Sequence, residues 1–400
     1  MLNRYATLQN RVIIDCAPGI PDPHERCPVR TTSCWNELMK VCLTCVELFA
    51  WGKYGGFGRA ARMLGREMVK QGVEVFAVVP QRSGQKPEEI LDGITVLAFP
   101  QFQPWKALQL YRQCNADIYH SQEASLGSYL AMRAAPDRKH LITFRDHKLF
   151  RDWLVELKYP SRNYLRTILA WIYERNILVT KAIRGCDRLA VCAPHLAGSV
   201  IQNYHLQRPP LLLPTPVVVP EQTPVKSSSP TVCFLARWDK RKRPEQFLAL
   251  AKEFTDVRFI AVGGSQNSAW DTKLRKRFGH LPNLEMTGFI NQFDTGALSS
   301  LLEKSWILVN TSMREGLPTS FLEAMGHRCA LLSRVNPDGV ATRFGYHAKN
   351  DDFITGLSKL LEGDAWRDKG EAGYRYVRDR FELGNVVTEH LQAYLTIMED

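Results

Sequence analysis

The sequence has no uninterrupted apolar run approaching the roughly 18 residues that cross a bilayer. Its long apolar stretches, such as Leu211 to Val219, are broken by prolines, here at 214 and 216, so no transmembrane helix is expected. Residues 1–38 lack a basic start followed by an apolar core, which argues against a secretory leader and makes the cytoplasm the expected compartment. Proline and glycine together make only 48 of the 400 residues, which excludes collagen-like and low-complexity chains. Ten cysteines are present without the pair-and-pair spacing of a zinc site; the C-x-x-C of Cys42 and Cys45 lies in an apolar run and reads as core packing. Walker and G-x-G-x-x-G loops are both missing. No aromatic-basic recognition module is found, so nucleic acid is not an expected partner.

Acidic residues are also in deficit, 41 against 52 basic ones, for a net charge of +11. The surplus is concentrated. Arg133 to Arg188 holds 13 basic and 6 acidic side chains, and Leu235 to Arg243 holds five basic residues against Asp239. Such an excess suits nucleic acid, anionic lipid or phosphorylated small molecules, and its placement decides among them.

Four hundred residues, 45% of them hydrophobic, exceed what one core organises, and two domains are expected. A buried-strand pattern begins at Met39, while residues 1–38, with four prolines, show no periodicity and are expected to form a poorly ordered extension. Apolar runs at 73–79, 94–98, 117–119, 140–144 and 187–192 then alternate with helical segments. A second series starts at Thr231 and continues at 258–262, 284–287, 307–310 and 330–333. The Pro- and Ser-rich stretch from Pro209 to Pro230 separates the two series. The expected class is α/β, with two Rossmann-like doubly wound parallel sheets: an N-terminal domain over 39–215, a C-terminal domain over 216–375, and a terminal helix, 376–400, crossing back to the first domain. Ligands of such sheets meet the C-terminal ends of the strands, here facing an interdomain crevice.

Three motifs follow strands. Gly55, Gly56 and Gly58 precede a helix start, where backbone amides and the helix dipole favour an anion; a plain Gly-rich turn is the alternative. Arg237-Trp238-Asp239-Lys240-Arg241-Lys242 follows the first strand of the second series. Glu315-Gly316-Leu317-Pro318-Thr319-Ser320-Phe321-Leu322-Glu323 follows a later one, with Thr319 at a helix start. A Glu pair at E-x7-E spacing arises by chance and alone means little.

Together and in this order, the motifs resemble the retaining glycosyltransferases of group 1, family 4, which share the GT-B fold. The resemblance runs from Met39 to about the C-terminus. It implies that Arg237 and Lys242 neutralise the diphosphate of a nucleotide-sugar donor as it leaves, that Glu323 accepts from the ribose hydroxyls, and that Glu315 lies near the donor sugar. The segment Gly316, Leu317, Pro318, Thr319 would face the phosphate. Lys240, Arg241 and Arg243 read better as a solvated basic loop. On the acceptor side His120 matches the family's Asp-x-x-His segment. Arg145 stands where many relatives carry a histidine, so Arg145 would meet phosphate or acceptor while His147 or Asp146 meets the sugar; ordinary polar packing is the competing reading for the histidines. The implied reaction moves a hexosyl group to a glycan, lipid or metabolite hydroxyl with retention of configuration. No cofactor and no divalent metal is expected. A silent nucleotide-sugar-binding module, or another GT-B activity such as a sugar-phosphate synthase or epimerase, is the alternative.

The basic segment from Arg145 to Arg188 reads as a long helix with a wide apolar stripe, including Tyr164, Leu165, Ile168, Leu169, Trp171 and Ile172. It would be either a core helix or a face for peripheral contact with an anionic membrane.

Overall fold

The computed structural model describes residues 39–52, 54–160 and 164–400. The expectation of a poorly ordered extension over 1–38 lies outside them. The first sheet is built from β1 (Lys40–Thr44), β2 (Glu74–Pro80), β3 (Glu88–Leu91), β4 (Ile94–Phe99), β5 (Ile118–Ser121), β6 (Lys139–Phe144), β7 (Arg188–Val191) and β8 (Leu211–Leu212), in the spatial order β3-β4-β2-β1-β5-β6-β7-β8. The second contains β9 (Thr231–Leu235), β10 (Arg258–Val262), β11 (Leu284–Gly288), β12 (Ile307–Asn310), β13 (Ala330–Ser333) and β14 (Gly345–His347), in the order β11-β10-β9-β12-β13-β14.

All pairings are parallel except β3 with β4. Strands such as Val41-Cys42-Leu43 and Ile307-Leu308-Val309 are apolar at every position and fully buried, as a sheet covered on both faces requires. The hairpin between β3 and β4 turns at Asp92 and Gly93, both at positive φ, the conformation that lets a two-residue turn follow the strand twist.

In each sheet the strand order reverses beside the first strand of its series, between β1 and β5 and between β9 and β12. A crevice opens at the carboxyl ends of strands at such a point. The helices that bear on it are α1 (Gly56–Lys70) and α6 (Thr319–Gly326), with α2 (Phe150–Lys158), α3 (Tyr164–Glu174), α4 (Ile177–Gly185) and α5 (Pro194–Tyr204) in the first half and α7 (Ala365–Phe381) and α8 (Leu383–Glu399) ending the chain. Phe321, Leu322 and Met325 of α6 share a core with Val377 and Phe381 of α7. The chain then crosses over: α8 packs on α1, and Tyr394 reaches His120 of β5.

The long helix expected between Arg145 and Arg188 is instead three helices, α2 to α4. Pro160 follows α2, and Asn176 starts α4 by accepting from the Leu178 and Val179 N–H groups at 2.9 Å each. Among the described residues no helix is long and apolar enough to cross a membrane.

Candidate functional site

The loop after β9 is pinned by Trp238, whose side chain is fully buried and whose backbone N–H donates to the Gly264 carbonyl at 2.9 Å. The Asp239 carboxylate and carbonyl accept from the Lys242 N–H at 3.0 and 3.1 Å and turn the loop back. Arg243 closes it in the left-handed region, φ 48°. Its guanidinium donates to the Thr311 carbonyl at 2.8 Å and forks onto Asp351 at 2.8 and 2.5 Å. Thr311, just past β12, returns a hydroxyl bond to the Lys242 carbonyl at 2.7 Å. The two loops at the second switch point are thus one unit.

The Lys242 ammonium emerges from this unit against the Glu315 carboxylate. Burial by itself would raise the Glu315 carboxyl, but Lys242 and Arg241 hold it below the usual carboxylate range. Arg237 stays about half exposed, 3.8 Å from Asp239. Glu323, in α6, is buried and paired with Arg59 of α1. Gly56 faces Thr319, the first residue of α6, so closely that a Cβ would lie 3.3 Å from its hydroxyl oxygen. Of the expected donor-side residues, Lys242 is set on Glu315 just ahead of α6, while Arg237 is placed on Asp239. Thr319 and Glu323 of α6 meet Gly56 and Arg59 of α1, and the start of α6 adds positive potential through its dipole.

Arg241 and Arg243 depart from the expected solvated loop: Arg241 pairs with Glu156 of α2, and Arg243 is buried on Thr311 and Asp351. Lys240 is exposed. The Gly-rich loop is not an open phosphate cradle either. The Glu47 carboxylate accepts from the Gly58 N–H at 3.3 Å and fills the space beside Gly55, so the loop already holds one of the protein's own anions.

On the acceptor side the expectations change more. His120 is fully buried, with Nδ1 2.7 Å from the Tyr394 hydroxyl and Nε2 2.7 Å from Thr143 Oγ1. Both ring nitrogens are used in the interior, so a direct chemical role gives way to holding α8 on β5. His147 packs between Phe144 and Tyr204; its Nδ1 lies 3.1 Å from Ser199 Oγ, and its Nε2 accepts from Asn203 at 3.3 Å. Burial lowers its pKa to about 4, so it is a neutral, structural imidazole. Arg145 is buried, donating to Gln122 at 2.5 Å and Thr215 at 3.1 Å. It bridges β5 to the chain crossing instead of presenting itself to phosphate.

Asp146 is the member of this segment that faces the other half. Arg314 forks onto it at 2.7 and 2.6 Å, also donates to the His147 carbonyl at 3.2 Å, and stands 3.2 Å from Asp152. Burial opposes the Asp146 charge, but Arg314 prevails and sets its pKa to about 2. Gly316 lies against this pair: a Cβ there would sit 3.1 Å from the Arg145 carbonyl and 3.3 Å from the Asp146 carboxylate. Arg59 and Arg314 were not picked out from the sequence. Their partners lie more than 150 residues away, and an Arg beside Glu315 carries no local signal. Glu123, after β5, adds a half-buried carboxyl pushed up to about 8 by burial, with Glu174 and Glu47 contributing repulsion. At one end of the cleft Tyr54 stacks on Phe289 at 4.6 Å, and Phe49 meets Phe293 at 5.3 Å.

Two family models match consecutive parts of the chain: "Glycosyltransferase Family 4" over residues 54–219 and "Glycosyl transferases group 1" over 219–345. A search of curated protein sequences found no significant match. Among solved structures, the chain is similar to a sucrose-phosphate synthase from Thermosynechococcus elongatus, with a TM-score of 0.71 at 14% identity over 90% of this chain and 99% of that one. It is also similar to Anabaena HepE in complex with UDP and glucose, at 0.64 and 12% over 89% and 99%. The catalytic domain of starch synthase IV from Arabidopsis thaliana, bound to ADP and acarbose, gives 0.62 and 12% over 90% and 100%.

Proposed function

This chain belongs to the group 1, family 4 glycosyltransferases with the GT-B fold, and from that premise we propose that it moves a hexosyl group from a nucleotide diphosphate sugar to a glycan, lipid or metabolite hydroxyl, with retention of configuration. The observation that carries this reading is Lys242 meeting Glu315 beside the first turn of α6, with Arg237 half exposed on the same loop.

In this reading the incoming diphosphate takes Glu315's place as the partner of Lys242, and the released carboxylate turns to the donor sugar. Glu323 takes the ribose hydroxyls. The bond from the anomeric carbon to the phosphate oxygen breaks while the acceptor oxygen bonds on the same face, and the acceptor proton passes to the departing phosphate. Arg237, a planar fork, and Lys242, a compact charge, absorb the negative charge that develops on the leaving group. With two cations and a helix start in that position, no divalent metal is required.

A thermal-shift screen with UDP, GDP, ADP and their sugars tests the donor site, because a ligand of the folded state raises its apparent stability. One nucleotide class should raise the melting temperature of the parent chain, and Lys242→Ala and Glu323→Ala should each abolish the rise. An unchanged shift in both variants would reject this donor site. A shift with no nucleotide release in the presence of acceptor extracts would favour a binding module over an enzyme.

A further inference from the structure

The surface of α2 to α4 is built the wrong way round for a core element. Among the described residues, nine of the eighteen exposed large apolar side chains lie between Phe150 and Ile177. In α3 the spacing Leu165, Ile168, Leu169, Ile172 marks one helical face, and these four are 65%, 42%, 54% and 62% exposed. The only buried residue of α3 is Thr167, while Trp171 stacks inward on Trp153 at 6.0 Å. Leu154 of α2 and Ile177 of α4 extend the apolar face. A contiguous apolar surface of this kind marks a contact with something else.

The charges identify the occupant. Among the described residues from 150 to 185, the exposed charged residues are basic, including Arg151, Lys158, Arg175, Lys181 and Arg184, and the one acid with a comparably exposed side chain is Glu174. The acids of the same segment are all paired: Asp152 on Arg314 and Glu156 on Arg241 are turned inward, and Glu174, its side chain 40% exposed, is neutralised by Lys148. A second copy meeting this face across a two-fold axis would oppose its own basic rim. Residues 1–38 carry equal numbers of acidic and basic side chains and offer no complement. An anionic bilayer supplies both partners at once, acyl chains for the stripe and headgroups for the rim.

We propose that α2 to α4 form a docking face for an anionic membrane surface, on which the protein lies without crossing it. The face adjoins the cleft, because Asp152 and Glu156 tie the inner side of α2 to Arg314 and Arg241 of the donor half. If the transfer reading above holds, on which this step rests, the acceptor hydroxyl is carried by a lipid in that membrane.

The test is flotation of the full-length chain with vesicles of phosphatidylcholine alone or mixed with phosphatidylglycerol. The parent should bind the anionic vesicles and be released by salt. Leu165→Glu/Ile172→Glu and Arg175→Glu/Lys181→Glu should each lower partitioning at least about tenfold, with melting temperature and nucleotide shift unchanged. Absence of binding by the parent, or unaltered binding by Leu165→Glu/Ile172→Glu, would overturn the proposal. So would a solution dimer that this variant dissociates, which would assign the face to a second copy. Loss of the nucleotide shift in the parent would count against the transfer reading alone and leave the vesicle result standing.

Discussion

His147, His327 and His390 all have pKa values lowered to about 4 by burial, and His120 is lowered by the same cause. Each is neutral in the folded protein and gains a proton on unfolding below about pH 6.5. The unfolded state therefore binds more protons in the window from about 6.5 down to 4, so stability is present above it and is lost as the pH falls. Between pH 6.5 and 5.5 the loss should be about 1 kcal/mol for each histidine with a pKa near 4. Denaturant titrations at the two pH values check this; equal stability at both would show that these rings are not buried neutral. The motif that holds Glu315 and Glu323 was visible because the two residues sit close in sequence, and the structure sets Lys242 beside the first of them. The acceptor-side histidines misled, because a polar residue at or near a strand end can turn into the interior as readily as into the cleft. His120, within β5, is held by Thr143 and Tyr394, and His147 packs against Phe144, Ser199 and Tyr204.

At the scale of elements, the long parallel strands were legible from unbroken apolar runs, whereas β3, β8 and β14, of four, two and three residues, were not. Too few residues pack in them to leave a pattern, and β3 is an edge strand with alternate residues exposed. The apolar stripe of α3 was visible, but its direction was not, since periodicity reports amphipathicity without saying which medium the apolar side meets. The turn from β1 into α1 depends on one glycine. A Cβ at Gly58 would lie 2.7 Å from the Phe49 backbone nitrogen and 2.9 Å from the Glu47 side chain. Gly58→Ala must displace backbone, so it should destabilise the protein by about 2 kcal/mol. A wild-type midpoint in chemical denaturation would show that the loop relaxes freely.

At the scale of the molecule, the two halves meet through ion pairs contributed from both sides, Arg59 to Glu323, Arg241 to Glu156, and Arg314 to Asp146 and Asp152, and through a hydrogen bond between His195 Nδ1 and Asp338 at 2.9 Å. Buried pairs add little net stability, but losing one partner strands the other, so these contacts bear chiefly on the register in which the halves close. None of them was visible in the sequence, which carries no mark of pairing between distant segments. Within the second half, the joined loops after β9 and β12 set Lys242 on Glu315, ahead of α6, and the proposed transfer depends on that ammonium taking up the charge of the departing diphosphate. The direct measurement is the single-turnover rate of nucleotide release from the cognate donor, at saturation, for Lys242→Ala beside the parent enzyme. The predicted result is a rate about a hundredfold lower, equivalent to about 3 kcal/mol; release at the parental rate would contradict the account.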